Sequence, residues 1–186
     1  MSKKALCLVD FVDNYFFEHV DQPATIETGV YPLDDEDLKI DFFGRCVTEL
    51  VPRDICETIT NGSKIQIIPY VIIRNGYNIV SYVRGNKSGE QRLVGRVSVG
   101  LGGHVDSNIH HVPDLFERAE VFEDHLLEEA GREILEELGI ELNLTFNNLN
   151  YHLLYTAPTD PKASDVEKAH MGLVIDLDLS SFIYLN

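Results

Sequence analysis

From about residue 62 onward the apolar positions fall into runs with two different periods. "KIQIIPYVIIRNGYNIVSYVRG", residues 64–85, holds two β-branched and aromatic runs joined at Asn75-Gly76. Asn-Gly between such runs is a strong short-range hairpin signal. "NKSGEQRL" is a polar loop, and "VGRVSVGLGGHV", residues 94–105, reads as a strand that ends at paired glycines. The stretch from Asp106 to Phe122, with two histidines and a proline, reads as a loop or short insertion. A helical period then takes over from about Glu123 to Leu138, and Gly139 stands where a C-terminal cap belongs. "IELNLTF", "YHLLYTA" and "HMGLVIDLDL" are three further strand candidates, the last two separated by the polar loop "PTDPKASDVEKA".

The first sixty-one residues are less regular. "KALCLVDF" suits a short strand, "YFFEHV" an aromatic patch, and "VPRDICETI" the opening of a helix with Pro52 near its first turn. "DDEDLKIDFFGRCVTEL" mixes an acidic start with apolar pairs. The expected organisation is an N-terminal extension over 1–61 packed on a main domain over 62–186. Strands before and after one well-defined helix predict an α+β fold, layered as an α/β/α sandwich, not a regular βαβ array.

With 186 residues the chain supplies one sizeable core. Its formal net charge of -16 disfavours a polyanion, so no nucleic-acid polymer is expected as partner. A small phosphorylated ligand remains compatible, because a bound divalent cation reverses the local charge. No apolar run reaches the length of a membrane span. The opening "MSKKALCLVDF" makes a poor secretion signal, and Cys7, Cys46 and Cys56 are odd in number with no CxxC spacing. A cytoplasmic protein with free thiols is the expectation.

The charge is concentrated. Residues 117–141 hold ten acidic side chains against two basic ones, Arg118 and Arg132. At about 100° per residue, Glu129, Glu133, Glu136 and Glu137 share one arc of the helix, while Leu127, Ala130, Ile134 and Leu138 fill a different sector. Like charges four apart, as in Glu129 with Glu133 and Glu133 with Glu137, cost a few tenths of a kcal/mol each. A solvated acidic face and a site for a hard, oxygen-seeking cation are both compatible with this spacing.

"REILEELGI", residues 132–140, resembles the second half of the signature of the Nudix hydrolase (MutT-like) family. That half reads Arg-Glu-aliphatic-x-Glu-Glu-x-Gly-aliphatic, and Arg132, Glu133, Ile134, Glu136, Glu137, Gly139 and Ile140 all match it. The first half departs. The glutamate eight positions before Arg132 is Asp124 here, and the position of the signature glycine is Arg118. Gly103, preceded by Gly102, is the natural alternative, which places a 15-residue insertion inside the signature. Asp106 corresponds to an acidic position that follows the paired glycines.

The resemblance implies a Nudix fold with a mixed β-sheet and a catalytic helix. It also implies Mg²⁺- or Mn²⁺-dependent hydrolysis of a diphosphate bond in a nucleoside diphosphate linked to another moiety, a pyrophosphohydrolase activity. Carried over by position, Glu133, Glu136 and Glu137 are the metal ligands, Gly103 adds a backbone carbonyl, and Arg132 orients a glutamate. Asp124 and Glu129 are outer-shell candidates. Glu167 and His170 are candidates for the general base, and Arg96 for a phosphate contact. His104, His110 and His111 are not expected as ligands of a hard cation. Arg74, Arg84 and Arg92 are the other scarce cations, and none of Tyr70, Tyr77 and Tyr82 is singled out for stacking on a base. A homodimer is expected on the same basis, with the N-terminal extension at the interface or walling the pocket. Two alternatives stay open: a weakly active or inactive Nudix-fold nucleotide-binding or regulatory protein, and a diphosphate-ester isomerase.

Overall fold

The computed structural model describes residues 3–9, 27–59, 61–85, 94–106, 114–142, 144 and 149–181. The organising element is a strand, β4 (Lys64–Asn75), twelve residues long. Its alternation sends Ile65, Ile67, Val71 and Ile73 to one buried face. Gln66, Ile68, Tyr70, Ile72 and Arg74 go to the other, as the two-residue period of a strand requires.

On one flank β4 pairs in parallel with β10 (His170–Asp178), from His170 against Gln66 to Asp178 against Arg74. β10 pairs antiparallel with β9 (Asn150–Tyr155), and β9 with β2 (Gly29–Leu33), which ends the sheet on that side. Pro32 lies in β2, consistent with an edge strand that needs no full ladder of N–H donors. On the other flank two strands share β4. β1 (Lys4–Val9) pairs with residues 64–66, and β8 (Gly100–Gly102) with residues 70–72. β3 (Thr48–Pro52) extends the sheet beyond β1. The hairpin partner β5 (Asn78–Ile79) caps the far end of β4, and β6 (Tyr82–Val83) with β7 (Val97–Ser98) forms a separate ribbon. One parallel pair among antiparallel ones makes the sheet mixed, so the protein is α+β. Residues before 62 supply three strands of this sheet.

Two helices, α1 (Glu36–Arg45) and α3 (Leu115–Leu138), cover the face that carries Ile65, Ile67 and Val71. Phe42 and Phe43 of α1 meet Phe122 of α3 and Tyr151 of β9 through edge-to-face ring contacts, a geometry that rings favour. Ala119, Phe122, Leu126, Leu127, Ala130 and Ile134 form the apolar stripe of α3. The opposite face carries a smaller cluster beneath the one-turn helix α2 (Arg53–Cys56), and a second one-turn helix, α4 (Asp165–Lys168), precedes β10. No helix among the described residues is long and apolar enough to cross a membrane.

Three expectations shift. α3 begins at Leu115, not near Glu123, because Asp114 caps it by accepting from the N–H groups of Phe116 and Glu117. Ala119 and Phe122 then continue the buried stripe. The hairpin turn consists of Gly76 and Tyr77, since Asn75 is still paired, with Asn78. Gly76 takes the positive φ of 59° there, which glycine adopts without penalty. Residues 140–142 and 144 are not in a strand. The aromatic patch at 15–20, the loop at 86–93 and residues 143, 145 and 146 of the strand candidate at 140–146 lie outside the described residues.

Candidate functional site

The segment from Gly103 to Val105 lies where the two partners of β4 part. β8 ends at Gly102, while the carbonyl of Val105 accepts from the N–H of Leu6 in β1 at 2.8 Å. The carboxylate of Glu133, reaching from α3, lies directly over Gly103. A Cβ added to Gly103 would stand 2.1 Å from Glu133 Oε1 and 2.2 Å from its carboxyl carbon. Glycine is needed there to admit the carboxylate, not to make a turn.

Around Glu133 the carboxylates gather on Arg132. Its Nε donates to Glu129 Oε2 at 2.8 Å, its Nη1 to Glu136 Oε1 at 2.8 Å, and its Nη2 lies 2.9 Å from Glu133 Oε1. Nη2 also reaches the carbonyl of His104 at 3.4 Å, tying the helix to the fork. Partial burial works against the guanidinium charge, yet its hydrogen bonds to Glu136 and Glu129 raise its pKa above the ordinary arginine value. Burial pushes the Glu133 carboxyl up from the usual carboxylate range; Arg132 opposes this, and the charges of Glu136 and Glu137 add to it. The side chain of Glu133 is only 14% exposed and that of Glu129 12%, whereas Glu136 reaches 59%. Glu129 is therefore a partly buried partner of Arg132, not a freely solvated fourth acid.

Glu137 is exposed on the same arc, and its charge is felt at Glu133. Among the described residues no three His, Cys, Asp or Glu side chains converge as a ready metal cluster; the centre of this group is the guanidinium. The donors offered are nevertheless all oxygens: carboxylates with surplus negative charge beside a glycine backbone that a Cβ would block. That set fits a hard cation better than a thiophilic one.

The structure also joins two histidines 66 positions apart. His170, at the start of β10, contacts the Val166 carbonyl through Nδ1 at 2.6 Å, and its Nε2 lies 3.4 Å from His104 Nε2. With Nδ1–H donating to the carbonyl, Nε2 of a neutral His170 is left as an acceptor. Neither imidazole's position could be read from spacing. A histidine directly after paired glycines was the only hint.

Other candidates go elsewhere. Asp124 is exposed and nine residues before Glu133, roughly half a turn round the helix from it. Glu167 closes a capping box at α4, accepting from the backbone N–H and hydroxyl of Ser164 at 2.7 Å each. Those bonds hold its carboxyl below the usual range, which weakens it as a base. Arg96 is exposed just ahead of β7, its carbonyl accepting from the Arg84 N–H. Arg84 lies over the Tyr82 ring at 5.8 Å, and Tyr82 donates to the Gly100 carbonyl. The Tyr70 ring lies across Gly100, where an added Cβ would fall 2.0 Å from it. Tyr77 and Asp106 are exposed. Arg92, His110 and His111 lie outside the described residues.

No protein-family model and no curated protein matches this chain. Among solved structures, it is similar to the crystal structure of Tm1382, a candidate Nudix hydrolase, with a TM-score of 0.52 and 18% identity over 94% of this chain and 74% of that one. A likeness at that identity bears on the fold: a mixed sheet with helices, in an arrangement the two chains share.

Proposed function

We propose that this protein is a divalent-cation-dependent hydrolase that cleaves a diphosphate bond in a nucleoside diphosphate linked to another moiety. The observation that carries the proposal is the Glu133 carboxylate, half-buried over the bare backbone of Gly103, within a group of acids that Arg132 alone does not neutralise. The match of residues 132–140 to the Nudix signature and the shared fold support it.

In this reading Glu133, Glu136, Glu137 and the Gly103 carbonyl hold Mg²⁺ or Mn²⁺. The ion supplies charge neutralisation at the diphosphate and acidifies water for attack. Arg132 orients Glu133 and Glu136 and keeps Glu129 in place as an outer partner. His170, its ring fixed by the Val166 carbonyl, is the better placed of the two candidate bases, since Glu167 is engaged in capping. An acidic site of this kind binds a diphosphate poorly until a cation is present.

A hydrolysis screen tests the proposal. Dinucleotides, nucleotide sugars, oxidised nucleotides and non-nucleotide diphosphates are offered with Mg²⁺ and Mn²⁺, and released phosphate is read after phosphatase coupling. Divalent-dependent turnover that disappears in the Glu136→Gln/Glu137→Gln double variant is the expected result; turnover unchanged in that variant overturns it. A second reading, a Nudix-fold protein that binds a nucleotide without cleaving it, is favoured by one observation. The shorter Asp124, exposed on α3, stands where the signature has a glutamate. Tight nucleotide binding with no cleavage in either metal selects that reading.

A further inference from the structure

Cys7 and Cys56 are 49 positions apart in sequence, and the fold brings them into contact. Cys7 sits mid-strand in β1, paired with Glu49 of β3 on one side and Gln66 of β4 on the other. Its neighbours Leu6 and Leu8 point into the main core, so alternation sends Cys7 to the opposite face. There it packs with Val51 and Cys56 in a separate small cluster.

Cys56 reaches it because β3 runs straight into α2. The N–H of Arg53 donates to the Lys3 carbonyl at 2.9 Å and its Nε to the Lys4 carbonyl at 3.2 Å, pinning the turn over the start of β1. The two Sγ atoms stand 2.7 Å apart, and both residues are fully buried. Two unbonded sulfurs do not ordinarily pack so closely. The third cysteine, Cys46, belongs to the main core on the other face.

We propose that Cys7 and Cys56 are a disulfide-forming pair, a covalent staple between β1 and α2 made by exchange with a low-molecular-weight disulfide. One cysteine, as thiolate, attacks a sulfur of the reagent. The reagent's S–S bond breaks, a mixed disulfide forms, and one reagent thiol leaves. The second cysteine then displaces the other reagent sulfur. Overall the protein sulfurs lose two electrons, the reagent sulfurs gain them, and the two thiol protons leave with the two reagent thiols. Burial, followed by their mutual contact, pushes the Cys7 thiol up, and burial does the same to Cys56. Thiolate is scarce in both as a result, and exchange is slow in each direction. The bond forms through openings of α2, and once formed it is as sheltered from reductants as the thiols were from oxidants.

The test uses the full chain. The protein is held with oxidised glutathione, both in buffer and at a denaturant concentration below its unfolding transition, so that α2 can open. It is then unfolded without reductant, alkylated, and analysed by intact mass and non-reducing peptide mapping. One alkylated cysteine, mapped to Cys46, and a linked Cys7–Cys56 peptide are expected. The oxidised protein should melt about 5 to 10 °C higher, reversibly on reduction. Three alkylated cysteines under both conditions overturn the proposal. So does a linked peptide containing Cys46, or glutathione retained on one cysteine with no internal bond.

Discussion

Two arginines in this protein each hold several carboxylates. Arg74 lies between strands: it bridges Asp176 and Asp178 of β10 at 2.7 and 2.5 Å. Asp178 accepts further bonds from the hydroxyl and N–H of Ser180 and from the N–H of Gly76. Those donors, the Ser180 hydroxyl foremost, hold its carboxyl below the ordinary range. Arg132 faces three glutamates on its own helix, with Glu137 nearby. Apart from its guanidinium, no hydrogen-bond donor to Glu133 or Glu136 is found among the described residues. Burial pushes Glu133 the opposite way, upward. The Arg74 group, also with more acids than bases, is well supplied with neutral donors and fastens β4 to β10. The Arg132 group keeps a surplus of negative charge in a half-buried place. Charge density alone does not separate the two; the number of donors supplied to each carboxylate does.

The largest effect expected from breaking this contrast is on turnover. Glu136→Gln with Glu137→Gln should lower divalent-dependent hydrolysis by more than about a hundredfold, beyond the usual cost of altering an outer partner. The circular dichroism spectrum should stay unchanged. Asp176→Asn with Asp178→Asn should leave turnover as it is, measured in the same assay. Next comes geometry. Gly103→Ala places a methyl 2.1 Å from Glu133 Oε1, so Glu133 must move. A displacement of that kind costs up to about a hundredfold in kcat, read by steady-state kinetics beside a melting curve that confirms folding.

Stability separates the groups more finely. Arg132→Ala should cost about 1 kcal/mol, between the values for exposed and buried pairs, because Arg132 is about a third exposed, and Arg74→Ala should also lower stability. Millimolar Mg²⁺ or Mn²⁺ should restore part of the loss in Arg132→Ala and none in Arg74→Ala, as denaturant titrations would read. The smallest effect is a pH dependence. The depressed Asp178 carboxyl contributes stability above the ordinary value near 3.8, and this contribution is lost as pH falls through its lower folded value. Asp178→Asn should therefore melt below the parent at neutral pH, with the gap closing in strong acid.

Much of this is legible in the amino-acid sequence. β1, β9, β10 and the hairpin follow from alternation, and Gly139 ends α3 in the left-handed conformation, with φ 69°, that its position suggested. The start of α3 was not legible, because His110, His111 and Pro113 made the stretch before it look like one continuous loop, which hid the Asp114 cap. Residues 29–52 were obscure for a different reason. β2 contains Pro32 and β3 begins three residues after α1, too short a separation for either period to show. In the site, spacing placed Glu129, Glu133 and Glu136 on one arc of α3. It could not reveal that Arg132 holds all three, nor that His104 and His170 meet, since contacts across the sheet leave no local pattern.

The parallel pair of β4 and β10 has a consequence in time as well as in space. Arg74 meets Asp176 across 102 positions of chain. As synthesis proceeds, α3 and the β4–β5 hairpin can form while β10 has yet to appear. β4 then presents an unpaired flank, apolar on the face that will become the core, throughout that interval. Pairings of such long sequence separation make for slow folding and exposed edges on the way. The centre of the sheet, last to close, is thus where a nascent chain of this protein is most open to mispairing.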